Sequence, residues 1–230
     1  MATDKELSVV RMGEKKYELV TEASIVHAFI RLYRIKACKT FHTVRGEVGE
    51  GDLGGLIESE ENLSQDGSAW IFDEAKVYGK AFVGNDACIG DCAEVFDLAK
   101  VLGHACVENE AKVYGSAVVS QNAYIGEYAE VFGEATIFGN ATVSQDGKVY
   151  GSGRVHGKAK ILGAAEVFEE ASVYENAVVS VACLFHGSAR AFGNAAIAGV
   201  IDISGTIDFF GDTKLHGEGR MMDAKQGGFI

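Results

Sequence analysis

Ala75-Lys76-Val77-Tyr78-Gly79-Lys80, Ala81-Phe82-Val83-Gly84-Asn85-Asp86 and Ala87-Cys88-Ile89-Gly90-Asp91-Cys92 are consecutive hexads with one pattern: a small residue first, an aliphatic third and a turn-former fifth. The phase holds without a slip from Ala69 to Ala224. A strand sends alternate side chains to opposite faces, so the first and third positions point inward together while the second and fourth point out. The fifth and sixth positions turn the corner, with Gly, Asn and Asp supplying the residues that tolerate positive φ. A single hexad cannot bury its apolar face, whereas stacked coils bury a continuous core of Ala and Val.

The outward positions carry a second, longer period of every third hexad: Lys76-Val77-Tyr78, Glu94-Val95-Phe96, Lys112-Val113-Tyr114, Glu130-Val131-Phe132, Lys148-Val149-Tyr150 and Glu166-Val167-Phe168 alternate in sequence. Set in one column about 4.8 Å apart, they make a Lys/Glu ladder beside a Tyr/Phe ladder, and such neighbours across strands stabilise one another. Each coil therefore holds three hexads. The expected fold is an all-β, triangular parallel β-helix solenoid of eight to nine coils.

Composition agrees. The chain has 230 residues, 47% of them hydrophobic, with 29 glycines and no proline, which fits many tight turns between continuous strands and opposes a helical bundle. A net charge of −12 disfavours direct nucleic-acid or anionic-membrane binding. No apolar run is long enough to span a bilayer and the N-terminus lacks a signal-peptide core, so a cytoplasmic protein is expected. Cys38, Cys88, Cys92, Cys106 and Cys183 are odd in number and lack zinc-knuckle spacing, so reduced thiols and no metal are expected.

The hexads, with pairs such as Val77/Ala81 and Ile137/Ala141, resemble the hexapeptide-repeat family of left-handed parallel β-helices; left-handedness is implied by that resemblance alone. The run from Leu32-Tyr33-Arg34-Ile35 through Gly51-Asp52-Leu53-Gly54-Gly55 and Glu60-Glu61-Asn62-Leu63-Ser64 to Ala69-Trp70-Ile71 resembles YdcK-like bacterial and phage proteins, which carry a transferase label. Residues 1–62 read as a β-rich N-terminal cap, 63–224 as the hexad helix and 225–230 as a C-terminal tail. Within the cap Gly51–Gly55 reads as a turn-rich connector, and a first coil starts near Asn62 with a two-residue insertion before Ala69. Beyond Val179 larger residues, among them Phe185 and Phe209, are expected to plug the end of the core.

Four groups of residues compete for function. Tyr78, Phe96, Tyr114, Phe132, Tyr150 and Phe168 would form an apolar ridge suited to self-association or another protein, or would only stiffen the rod; a sugar strip is a weaker reading. Asp73, Glu74, Asp91, Glu110, Glu127 and Asp146 fall at one corner as an acidic column. It would bind a cation or a basic, nucleic-acid-binding protein, or merely solvate turns. Cys88 and Cys106, one coil apart, fall within disulfide reach, with two unreactive, partly exposed thiols as the plainer reading.

Histidine is the fourth. Many proteins of the resembling fold are acyltransferases with acyl-CoA between subunits of a trimer and a histidine base, which implies His104, at a corner, as the catalytic candidate. His156, His186 and His216 fall on three different faces and cannot converge within one subunit, and no two histidines are spaced by one coil as a zinc set would need. With no extruded loop in the hexads, the favoured expectation is a noncatalytic binding or scaffold protein without a cofactor, in the phage case an inhibitor or acidic decoy; the alternative is the acyl-CoA-dependent transferase.

Overall fold

The structure, a computed structural model, describes residues 15–222; the first residues of the expected cap, Ala224 and the expected tail at 225–230 lie outside the described residues. It is an all-β parallel solenoid of about nine turns. Two-residue strands recur once per hexad, and each pairs in parallel with the strand three hexads on, as in Glu94↔Lys76 and Glu94↔Lys112. Three faces result: one through Trp70, Cys88 and Cys106, a second through Lys76, Glu94 and Lys112, and a third through Phe82, Lys100 and Val118.

The core is the inward half of each hexad. Ala75, Val77, Ala93, Val95, Ala111, Val113 and their repeats are fully buried, and each buried valine contributes about 1.5–3 kcal/mol of transfer free energy. Small first residues matter because the chain has just turned a corner and backbones are close there. At the far end Phe185 and Phe209 fill the core, their rings 6.2 Å apart, as expected of a plug.

Corners are held by side chains as well as by conformation. Asp73, Asn85, Asp91, Asp97 and Asn109 all have φ between 53° and 61°. An L-residue pays about 1–2 kcal/mol there, least for Asn and Asp. Each also accepts a hydrogen bond from the backbone N–H one coil later, and the pattern recurs at Gln145: Asp91 accepts from Asn109 at 2.9 Å, Asn109 from Glu127 at 3.0 Å and Gln145 from Gly163 at 2.6 Å.

The N-terminal region joins this rod through strands. β1 (Tyr17–His27) and β2 (Ile30–Ala37) form an antiparallel hairpin, β2 pairs with β5 (Leu53–Ile57), and β5 pairs in parallel with Lys76–Val77. β3 (Phe41–Thr43) and β4 (Gly46–Val48) form a smaller hairpin with Arg45 in its turn. The expectation of a connector at Gly51–Gly55 is corrected: Leu53, Gly54 and Gly55 are strand residues, and the solenoid starts at β5 rather than near Asn62. Gly54 and Gly55 are glycines because a Cβ would meet Trp70, Ile35 and the backbone of Ile71, or the Ile71 side chain and Ala75 oxygen.

The two-residue insertion is present. The pairings Ile57↔Val77 and Leu63↔Val83 each span two positions more than Trp70↔Cys88, which has the regular coil spacing. Buried Lys16 fills the widened corner, its Nζ donating to the carbonyls of Asp66, Gly67 and Ala69 at 3.5, 3.4 and 3.0 Å. Burial pushes this lysine down to about 8. Among the described residues no helix is long and apolar enough to cross a membrane.

Candidate functional site

Fourth positions of the second face stand in register, so their rings stack. Successive centroids from Tyr78 through Phe96, Tyr114, Phe132, Tyr150 and Phe168 are 4.8–5.1 Å apart with interplanar angles of 1–3°. His186 extends the ladder, 4.5 Å from Phe168. The tyrosine hydroxyls donate to the carboxylate two positions before the next ring: Tyr78 to Glu94 at 3.1 Å, Tyr114 to Glu130 at 2.9 Å and Tyr150 to Glu166 at 2.8 Å. Burial and those carboxylates push the three phenols up, Tyr114 to about 12, so they remain donors. Lysines complete the row, with Lys76–Glu94 at 3.4 Å and Glu130–Lys148 at 3.3 Å.

The rings are half-buried rather than a fully open ridge, because each ring face is covered by its neighbour and only the edges meet solvent. Tyr78 is covered further. His27 packs edge-on against it at 5.5 Å, and Ile30, Leu32 and Leu56 complete the contact. At the tip of the same hairpin Ala28 and Phe29 have φ of 48° and 67°, and Val26 and Phe29 are exposed.

A second ladder runs along the third face: Phe138, His156, Tyr174, Phe192 and Phe210, with centroids 4.6–5.8 Å apart. The same coil spacing signals it in the sequence, although no alternating charge draws attention to it. His156 is therefore half-buried between rings rather than a free surface residue, and burial, with Arg154 nearby, pushes its imidazole down.

The acidic residues do not form one column. Asp73, Asp91 and Glu127 occupy the left-handed corner position, and Glu74, Glu110 and Asp146 the position after it. Part of this acidity is neutralised from within. Arg34 grips the Glu74 carboxylate with one Nη at 2.8 and 2.9 Å, and Arg45 lies 3.6 Å from Asp73, 3.7 Å from Asp91 and 3.5 Å from Glu108. Among the described residues no cation pairs with Glu110, Glu127 or Asp146; the first two line a shallow groove with Asn109 and Tyr128.

No protein-family model matches the chain, and no curated protein matches it.

The histidines stay apart. His104 stands at an exposed corner, its side chain 61% accessible, with Nε2 3.5 Å from Asp86. Ser68 donates to Asp86 through its hydroxyl and its N–H, holding that carboxyl below its usual range. His186 lies in the polar cleft of the last coils with Glu169, Ser188, Ser204 and Arg220. Asp202 meets its Nε2 at 2.8 Å and Glu169 its Nδ1 at 3.6 Å. Both ring nitrogens thus face carboxylates, which anchors the ring between neighbouring coils.

Cys88 and Cys106 are register neighbours on the first face. The expectation of two partly exposed thiols is corrected for Cys88, which is fully buried, while Cys106 is partly exposed. Their sulfurs and a Glu108 carboxylate oxygen lie within 4.8 Å of one another.

Proposed function

We propose that the chain is a noncatalytic binding rod that acts through protein–protein contacts, first with a second copy of itself, along the aromatic strip of the second face. One observation carries this reading: seven rings from Tyr78 to His186 stacked in register make an unbroken, half-buried strip, roughly 29 Å long at one strand spacing per step. Exposed Val26 and Phe29 continue the apolar surface beside its first ring. A two-fold copy would cover both strips at once, the self-complementary arrangement common among homodimers. Sedimentation equilibrium across the micromolar range tests this: the wild type dimerises, and Phe29→Ser combined with Phe132→Ser gives a monomer with an unchanged circular dichroism spectrum. A wild type that stays monomeric overturns it.

The acidic corner supports a basic protein as a further partner. Arg45 is the internal precedent, since three carboxylates of this surface already seat one guanidinium. Glu110, Glu127 and Asp146 continue that surface, and with a net charge of −12 the rod would attract a nucleic-acid-binding protein electrostatically. In the phage setting that the resemblance implies, this makes it an inhibitor or acidic decoy. The five free thiols fit a cytoplasmic setting.

His104 supports a second reading, the acyl-CoA-dependent transferase, because a carboxylate beside an exposed imidazole is the arrangement that favours a general base. Thermal unfolding with acetyl-CoA separates the two readings: a saturable rise in Tm, with turnover lost in His104→Ala, would replace the binding rod by the transferase.

A further inference from the structure

We propose that Cys106 and Cys88 are a peroxide-responsive dithiol, Cys106 the attacking and Cys88 the resolving thiol, which closes reversibly into a disulfide between two successive coils. The pair is built on geometry that neither the binding surface nor the corner uses. Cys88 and Cys106 are in-register partners on parallel strands, so their α-carbons are about 4.8 Å apart, inside the range a disulfide spans. The side chains leave the same face of the sheet, and their sulfurs lie within 4.8 Å of each other. Of the two, Cys106 is partly open to solvent and its neighbour Cys88 is fully buried.

The Cys88 thiol and Arg45 favour a thiolate at Cys106, whose protonated form donates to the His104 carbonyl at 3.8 Å. Arg45 is brought to the pair from the β3–β4 turn and held there: its guanidinium lies 4.9 Å over the Phe72 ring and 3.5 Å from Glu108. It also lies across Gly90, where a Cβ would meet its Nη1 and make the guanidinium shift. The hydrogen bond from the Cys88 thiol holds Cys106 below the usual thiol range, and Arg45 acts in the same direction against burial and Glu108. That same hydrogen bond, followed by burial, pushes Cys88 up and keeps it protonated. A partly exposed thiol held below its usual range beside a buried, protonated one is the arrangement of a reactive and a resolving cysteine.

The chemistry balances with hydrogen peroxide as oxidant. The Cys106 thiolate attacks one peroxide oxygen, the O–O bond breaks, and the departing hydroxide takes up a proton to leave as water, giving Cys106 sulfenic acid. The Cys88 sulfur then attacks the Cys106 sulfur, Cys88 gives up its thiol proton, and the sulfenic hydroxyl leaves as a second water. Two thiols are oxidised by two electrons and one peroxide is reduced to two waters. A dithiol reductant reverses the bond. Neighbouring β-carbons at one strand spacing sit slightly wider than the ~4.5 Å upper end usual for a disulfide, so the bond pulls the coils together and is readily reduced.

Trp70 supplies the readout. It is the only tryptophan in the chain and the register neighbour of Cys88 on the other side, and a disulfide beside an indole quenches its emission. Full-length protein treated with peroxide should lose two of its five thiols, show a Cys88–Cys106 cross-linked peptide by mass spectrometry, and lose Trp70 emission that dithiothreitol restores. Cys106→Ser should abolish the emission change and Cys92→Ser should keep it. Arg45→Met should slow the reaction severalfold, because the guanidinium favours the attacking thiolate. Over-oxidation of Cys106 without the cross-link, a cross-link through Cys92 instead, or an unchanged rate in Arg45→Met would each overturn the proposal.

Discussion

Coils from Trp70 to Glu169 and those from Val178 onward are built from the same hexads but turn differently. In the first stretch every corner residue has φ between 53° and 78°. In the second, Ala196–Ile203 and Lys214–Met221 run through the corner between the first and second faces as continuous strands, with Gly199 and Gly217 at φ of 140° and 151°. The cores do not explain this, since Ile197 and Ile203 are as buried as Val95 and Val101. The corner residues do. Along that edge Asp73, Asp91, Asn109 and Gln145 each accept the N–H of the next turn. From Gly163 onward the acceptor side chains end; Val181 still holds φ 73°, and the corner opens at Gly199, beside β-branched Val200, which favours extended backbone. Glycine alone is not the cause, because Gly115, Gly133 and Gly151, stacked on one another, keep φ of 60–69°.

The comparison can be broken first at the core. Ile125→Ala, in the regular stretch, should cost about 2–5 kcal/mol in urea unfolding, whereas Ile207→Ala, half-buried in the last coils, should cost under about 1 kcal/mol. Equal losses would mean that both stretches unfold as one unit with equally tight packing.

Next comes the widened corner at Asp66–Ser68, where a side chain from outside the repeat does the holding. Lys16→Met should cost about 1–3 kcal/mol by leaving buried carbonyls unpaired. It should also change the pH profile. The lysine titrates near 8 when folded and near ~10.4 when unfolded, so the folded state binds fewer protons between those values. Stability from this group therefore rises from about pH 8 to about pH 10 in the wild type, and Tm measured across that window should lose the rise in Lys16→Met.

At the corners themselves Asp91→Ala should cost about 1–2 kcal/mol, since alanine neither tolerates the left-handed conformation nor accepts from Asn109. The smallest effect is expected at Val181, a β-branched residue held at φ 73°. Val181→Asn should stabilise by about 0.5–1 kcal/mol, and if acceptor chemistry sets the turn it should also draw Gly199 toward the left-handed region. A loss of stability there would show that extended backbone, not the missing acceptor, rules this edge.

Much of the rod is legible in the residues. The alternation of Lys76, Glu94, Lys112 and Glu130 specifies both the coil length and the facing partners, and the insertion before Ala69 is visible as a break in phase. The Phe138–Phe210 ladder follows from the same spacing but does not stand out, because its second positions do not alternate in charge. Other features have no local signal. Gly54 and Gly55 look like turn residues and are strand residues, because the reason for their glycines is Trp70, Ile35 and Ile71 pressing on them.

The sequence by itself determined the coil: its phase, its three faces, its Ala/Val core and the residues that meet along each column. That was possible because neighbours in a solenoid recur at a fixed interval of one coil, so one period encodes most contacts. Only the tertiary structure decided where the N-terminal hairpins dock, that Lys16 reaches the distant Ala69 carbonyl, and that Arg45 settles between the acidic corner and the Cys88–Cys106 pair. Those contacts join an aperiodic segment to a periodic one, and no repeat in the chain announces where the two will touch.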